Sequence, residues 1–161
     1  MTKQPNQAEA LSVRQIPFAE AEYEQALKLR DEVLRRPLGM SIADDDLSGD
    51  ADALHIGAFV RSGAEDAPAE RLVGTLLLRA LDDRTLQMKQ VAVEEARRGT
   101  GTGRDMVRFA EVLAAELGYD EIVLHARENA VPFYEKLEYI REGERFEEIG
   151  IPHYRMRREL G

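Results

Sequence analysis

Residues 91–104, Val91-Ala92-Val93-Glu94-Glu95-Ala96-Arg97-Arg98-Gly99-Thr100-Gly101-Thr102-Gly103-Arg104, constrain the fold more than any other stretch. A β-branched apolar run stops, a polar turn follows, and glycines at alternate positions open an amphipathic helix. Such an order asks for a strand feeding a helix through a loop almost free of Cβ atoms, whose N–H groups can come close to a bulky anion. The helix behind the loop aims unpaired N–H groups and its positive dipole end at the same spot. Arg97, Arg98 and Arg104 flank it with charges that suit phosphate. The stretch predicts a pyrophosphate cradle; the plainer alternative is a glycine-rich helix entry without a ligand.

Spacing sorts the cradles. A P-loop needs Lys then Ser/Thr after its last glycine, and Arg104-Asp105 follows Gly103 here. A dinucleotide fingerprint needs glycine at its sixth position, where counting from Gly99 gives Arg104 and counting from Gly101 gives Met106. Both failures disfavour a domain for another nucleotide. What fits is Arg-x-x-Gly-x-Gly, carried by Arg98, Gly101 and Gly103.

At 161 residues the chain is expected to be a flexible tail at 1–10 and a single domain at 11–161, with a sizeable core. The formal charge of −9, from 22 basic and 31 acidic residues, argues against nucleic acid as a partner. The sequence contains no cysteine, which excludes disulfides, thiolate metal sites and a Cys nucleophile. The apolar run Leu72 to Leu78 is too short to span a membrane. With no apolar leader in the first residues, a cytoplasmic protein is expected.

Along the chain, Leu11, Val13 and Ile16 predict a first strand ended by Pro17. Helical spacing from Phe18 to Leu34 follows, stopped by Pro37 and Gly39. Met40 to Asp52 reads as a solvated acidic loop. Its spacing partly matches a calcium loop, but His55 stands where the bidentate Glu belongs. Leu54 to Val60 alternates like a strand with one core face, and a surface turn spans Ser62 to Glu70. Leu72 to Leu81 and Leu86 to Val93 give two further strands, joined by a tight turn at Asp82-Asp83 into an antiparallel meander. Met106, Phe109, Ala110, Leu113 and Leu117 make one helix stripe, capped at Gly118. Glu121 to Ala126 is a strand adjacent to, or parallel with, the one before the loop. Asn129 is placed to cap a short helix with Pro132 in its first turn, and a closing hairpin fills 139–160. The class is α+β: a mixed, mostly antiparallel central sheet flanked by helices.

The Arg98–Gly101–Gly103 pattern resembles the acyl-CoA loop of the GNAT superfamily of N-acyltransferases. Ala126-Arg127-Glu128-Asn129-Ala130-Val131-Pro132-Phe133-Tyr134-Glu135-Lys136-Leu137-Glu138-Tyr139 looks like that superfamily's second motif, roughly Asn-x-x-Ala-x-x-Phe-Tyr-x-x-x-Gly-Phe. Ala130, Phe133 and Tyr134 match in register. Gly150-Ile151-Pro152-His153-Tyr154 and Met156 further resemble a small bacterial subgroup of unassigned substrate. Arg127 stands where the family often has Asn, and Glu138 replaces a glycine.

The resemblance implies acetyl transfer from acetyl-CoA, as co-substrate, directly to an amine in a ternary complex, with no metal and no covalent enzyme intermediate. It implies a V-shaped gap between the two central strands, with the pantetheine arm paired to backbone at Val91, Ala92 and Val93. Arg98, Gly99, Thr100, Gly101, Thr102, Gly103 and Arg104 would hold the pyrophosphate, and Asn129 and Phe133 would also touch the cofactor. Tyr134 is the implied general acid for the departing thiolate. For the base the sequence offers His125, His153, Glu94 or Glu95. A His titrates near neutrality, and His125, at the end of the strand before the second motif, is taken as catalytic. A water-relayed base is the equal alternative, because the strand Leu86 to Val93 carries no carboxylate. The family places the acceptor by the first helix and the following loop, so the five Asp residues of 40–52 are expected to draw in a cationic amine. A non-catalytic acyl-CoA sensor is the alternative, and the assembly, homodimer included, stays open.

Overall fold

The computed structural model describes residues 10–61 and 70–161. The expected tail, but for Ala10, and the expected turn at 62–70, but for Glu70, lie outside the described residues. Seven strands form one sheet: β1 (Ala10–Ile16), β2 (Leu54–Arg61), β3 (Glu70–Ala80), β4 (Thr85–Val93), β5 (Glu121–Arg127), β6 (Ile140–Glu148) and β7 (Ile151–Glu159). Their spatial order is β1-β2-β3-β4-β5-β7-β6. β1 runs antiparallel to β2, β4 parallel to β5, and β7 antiparallel to both β5 and β6. Among the described residues three α-helices accompany it: α1 (Ala21–Arg30), α2 (Thr102–Glu116) and α3 (Val131–Lys136). The sheet is mixed and mostly antiparallel, as the α+β reading requires.

The chain divides into two compact units. The first holds, among the described residues, 10–61, 70–77 and 90–109. In it Ala26 and Leu29 of α1 pack with Ile16, Phe59, Leu72 and Ala92. On other strand positions Met106 of α2 presses against bare backbone at Gly74, where a Cβ would stand 2.8 Å from the Met106 sulfur and 3.3 Å from Ala58 Cβ. β2 is therefore buried at Ile56, Ala58, Phe59 and Val60 alike, not on one face as its alternation suggests. A strand covered on both sides has no polar face to display.

Helix α1 starts three residues later than the apolar spacing predicts, after Ala19 takes a left-handed φ of 64°. Its last turn widens into a π-turn at Asp31–Arg35, and Gly39, at φ 73°, ends the path. In the acidic stretch that follows, Asp44, Asp46 and Asp52 are exposed as expected, but Asp45 and Asp50 are pinned. Asp50 accepts from the Tyr23 hydroxyl at 2.7 Å and from Arg30 at 2.8 Å, while His55 Nε2 donates to its carbonyl at 2.8 Å. Asp45 takes two bonds from Arg35, at 2.8 and 2.9 Å. Asp31 accepts from the Ile42 N–H and from Arg36, which lowers its carboxyl below the usual range, the backbone bond being the larger cause. Asp50 thus spends its carboxylate inside the fold, and the calcium-like spacing has a structural explanation.

The second unit comprises 78–89 and 110–161. Its core holds Leu86, Met88, Ile122, Leu124, Tyr139 and Met156. The Asp82 carboxylate accepts from the Arg84 and Thr85 N–H groups, closing the β3–β4 turn as predicted. Gly118 takes φ 93° and closes α2, again as predicted. The predicted stripe of α2 is buried at Met106 and Ala110 and half-buried at Phe109 and Leu113, but Glu111 and Ala114 are buried beside it and Leu117 is 53% exposed. Asn129 caps nothing; it lies in a tight turn at Glu128–Ala130, and α3 starts from Ala130 without a side-chain cap. At the exit of α3 Glu138 adopts φ 74°, the conformation a glycine would take there without strain.

Candidate active site

The loop of the first unit follows directly from β4. The β4–β5 pairing runs from Thr85 opposite Glu121 to Met88 opposite Leu124. Gln90 then takes a left-handed φ of 56°, a kink that nothing in its sequence announces. Beyond it Ala92 turns into the core beside Phe59 and Leu72, with Val91 and Val93 half-buried. Ala92 can therefore serve a ligand through its backbone alone.

Gly99 and Gly101 both adopt left-handed backbone, at φ 77° and 91°. At Gly101 a Cβ would stand 2.6 Å from the Arg104 guanidinium, which folds back over the loop. The first helical bond of α2 runs from the Asp105 N–H to the Gly101 carbonyl at 2.9 Å, so the N–H groups ahead of it lie outside the ladder. Thr100 donates to the Arg97 carbonyl and lies 3.1 Å, Oγ1 to Oγ1, from the buried Thr102, which fixes the loop's shape. Arg98 is exposed and makes no ion pair among the described residues; Arg104 touches Asp105 at 3.2 Å from a largely exposed position. Arg98, Gly99, Thr100, Gly101, Thr102, Gly103 and Arg104 thus form one stretch around the start of α2, where the Arg98 and Thr100 N–H groups donate to the Glu95 and Arg97 carbonyls and those of 102–104 precede the first helical bond. Glu94, offered as a base, instead accepts from Arg71.

In the second unit Tyr134 is buried, its ring edge-on to Phe133 at 4.9 Å and to Tyr139 at 5.8 Å. Its hydroxyl makes no hydrogen bond among the described residues. Tyr139 differs: it donates to Glu111 at 2.8 Å, and Glu111 also meets Arg158 at 3.1 Å. Burial pushes the Tyr134 phenol up; burial, then the Glu111 charge, does the same to Tyr139. Tyr134 is therefore a neutral, proton-bearing group throughout the physiological range. Asn129 is exposed and Phe133 half-buried.

His125 lies on β5, and its Nδ1 stands 2.9 Å from Glu148 Oε1. His153 on β7 is buried, its Nδ1 donating to the Ile151 carbonyl at 2.7 Å, with Nε2 3.6 Å from Glu148 Oε2. The Phe146 ring meets His125 edge-on at 5.1 Å and stacks on His153 at 5.8 Å. Two of the predicted base candidates thus share one carboxylate. Sequence reasoning missed Glu148, one of several glutamates in its segment, and the Arg30–Asp50 pair, whose partners lie twenty residues apart.

The model of the acetyltransferase (GNAT) domain family matches residues 64–160. The chain belongs to the GNAT acetyltransferase family, whose general chemistry is acyl transfer from acyl-CoA to an amine. YyaT of Bacillus subtilis, an uncharacterised protein, is 28% identical over 144 residues, covering 88% of this chain and 91% of its own length. A candidate N-acetyltransferase from Lactobacillus plantarum superposes with a TM-score of 0.78 at 24% identity, over 94% of this chain and 99% of that one. An aminoglycoside 6'-N-acetyltransferase complexed with coenzyme A gives 0.70 at 17% identity, over 92% and 97%. At these identities the two structures show the fold. Among the described residues no helix is long and apolar enough to cross a membrane.

Proposed function

We propose that the protein transfers an acetyl group from acetyl-CoA directly to an amine within a ternary complex. The observation that carries this reading is the loop of the first unit: two left-handed glycines and the free start of α2 offer N–H groups to a pyrophosphate, with Arg98 and Arg104 beside them. Backbone of Val91 and Val93 would orient the pantetheine arm. The amine nitrogen attacks the thioester carbonyl, the C–N bond forms and the C–S bond breaks. Tyr134, kept protonated by burial, gives its proton to the departing thiolate, a contribution on the order of 10²–10⁴-fold. His125 takes the proton that the amine must lose. With no cysteine in the chain, a thioester of the enzyme is not available as an intermediate.

The test is release of free CoA thiol from acetyl-CoA over a panel of small amines and peptides, with longer acyl-CoA esters in parallel. Turnover with an amine is expected, fastest for acetyl. Tight acetyl-CoA binding without turnover of any amine would instead identify a sensor, and preference for a longer ester would correct the acyl group.

A further inference from the structure

Three strands bring the histidine cluster together. On one face of the second unit's β5, β7 and β6, His125 lies opposite Arg155, His153 opposite both Arg127 and Phe146, and Glu148 opposite Ile151. The charged groups around His125 are therefore Arg127 on β5, Arg155 and His153 on β7, and Glu148 on β6. Arg155 is engaged by Glu142, and the nearby Arg145 by Glu128 at 3.1 Å. Among the described residues the two oxygens of Glu148 face the two imidazoles, one each.

The geometry fixes protons. A carboxylate only accepts, so the His125 nitrogen at 2.9 Å, Nδ1, must carry the hydrogen. In the neutral ring Nε2 is then the lone-pair nitrogen, on a side chain that is 33% exposed. His153 is oriented in the opposite sense: its Nδ1–H is committed to the Ile151 carbonyl, and at 4% exposure it cannot turn to meet a substrate. One histidine of the pair is thus available to take a proton, and the other walls in the carboxylate.

We propose that Glu148 is a positioning residue that makes His125 the general base, holding the imidazole as its Nδ1–H tautomer so that Nε2 faces the incoming amine. This rests on the acyl-transfer reading. The amine proton passes to Nε2 as nitrogen bonds to the acyl carbon, the thiolate leaves with the Tyr134 proton, and both groups re-equilibrate with solvent. Glu148 stabilises the imidazolium across the Nδ1–H bond, the logic of a carboxylate behind a catalytic imidazole.

The experiment compares wild type, E148Q, E148D and H125A. Glu148 is 46% exposed, so these changes spare the core. In E148Q the amide still accepts from Nδ1–H but carries no charge. We expect kcat to fall about tenfold or more, with acetyl-CoA binding and Tm unchanged. The loss should fall on kcat while the KM for acetyl-CoA holds, a split that a merely structural role would not give. E148D, which keeps the charge, should recover part of the rate. H125A should lose at least as much as E148Q, and adding E148Q to it should cost little more. Nitrogen-15 shifts should report Nδ1–H on neutral His125 in wild type.

An unchanged kcat in E148Q, additive losses in the double variant, or an Nε2–H tautomer overturns the proposal. Full activity of H125A on a turned-over amine overturns the dyad alone. If wild type turns over no amine although the Nδ1–H tautomer is found, the acyl-transfer reading fails, and the catalytic role falls with it.

Discussion

The loop at 98–104 presents backbone, whereas the face shared by β5, β7 and β6 presents side chains. In the loop the groups that would meet a ligand are N–H donors set by two left-handed glycines and a helix start, and a seven-residue string contains them all. On the sheet face His125, Glu148 and His153 come from three strands and lie up to twenty-eight positions apart, so that no short string contains them. A backbone site is local and tolerates most side-chain exchanges, but it fails when a Cβ enters it. A side-chain site is non-local and fails one residue at a time, each loss changing chemistry more than binding. The two regions should therefore respond to mutation in different measurements.

The largest effect is expected from Tyr134→Phe, which removes one hydroxyl and leaves the packing with Phe133 and Tyr139. Turnover should drop about 10²–10⁴-fold while acetyl-CoA affinity holds. A drop within about threefold in single-turnover kinetics, far below that range, would leave Tyr134 as a packing residue and break the contrast. Next comes Asp50→Ala, where the buried Arg30 loses its partner. Denaturant unfolding should show a loss of about 3–5 kcal/mol. A loss below about 1 kcal/mol, the range of an exposed pair, would mean that the loop's carboxylates are free after all.

Gly101→Val tests the backbone site directly. A branched side chain would be strained at φ 91° and would have to push the Arg104 guanidinium aside. Wild type should gain about 2.7 kcal/mol of stability at a hundredfold excess of acetyl-CoA over Kd, and the variant should gain none, read by thermal shift. His125→Ala should keep the whole gain. Loss of the gain in both variants would show that binding is not confined to the loop.

Alkaline pH offers a smaller effect. Tyr134 and Tyr139 hold their protons in the fold after the unfolded chain begins to lose them near pH 10. Stability should be flat below that point and fall above it by about 1.4 kcal/mol per pH unit for each phenol, until the raised folded values are reached. Tyr139→Phe should shallow the fall, and an unchanged slope would argue against it. The smallest effect belongs to Glu138→Gly. Relief of the left-handed backbone is worth about 1 kcal/mol, offset by loss of an exposed pair with Arg158 worth about 0–1 kcal/mol. Calorimetry should find Tm within a few degrees of wild type or above it, and a large fall would show that Glu138 does more than pair with Arg158.

Much of this molecule is local and was legible on that account. The strand–loop–helix at 91–104, the Asp82 turn, the Gly118 cap and the closing hairpin each depend on residues a few positions apart, so their chemistry is written in short strings. The same locality placed the loop glycines and Tyr134, with the family resemblance supplying their roles. What long-range packing decided could not be read that way. Whether β2 hides one face or two depends on what covers it, and Glu111 of α2 is buried where Tyr139 and Arg158 meet it. Asp45 and Asp50 looked solvated because Arg35 and Arg30 lie on a different element, and only folding brings those charges within 3 Å. His125 was visible as a titratable group at a strand end. That Glu148 stands behind it depends on β7 entering the sheet between β5 and β6, a choice of strand order that no local propensity encodes.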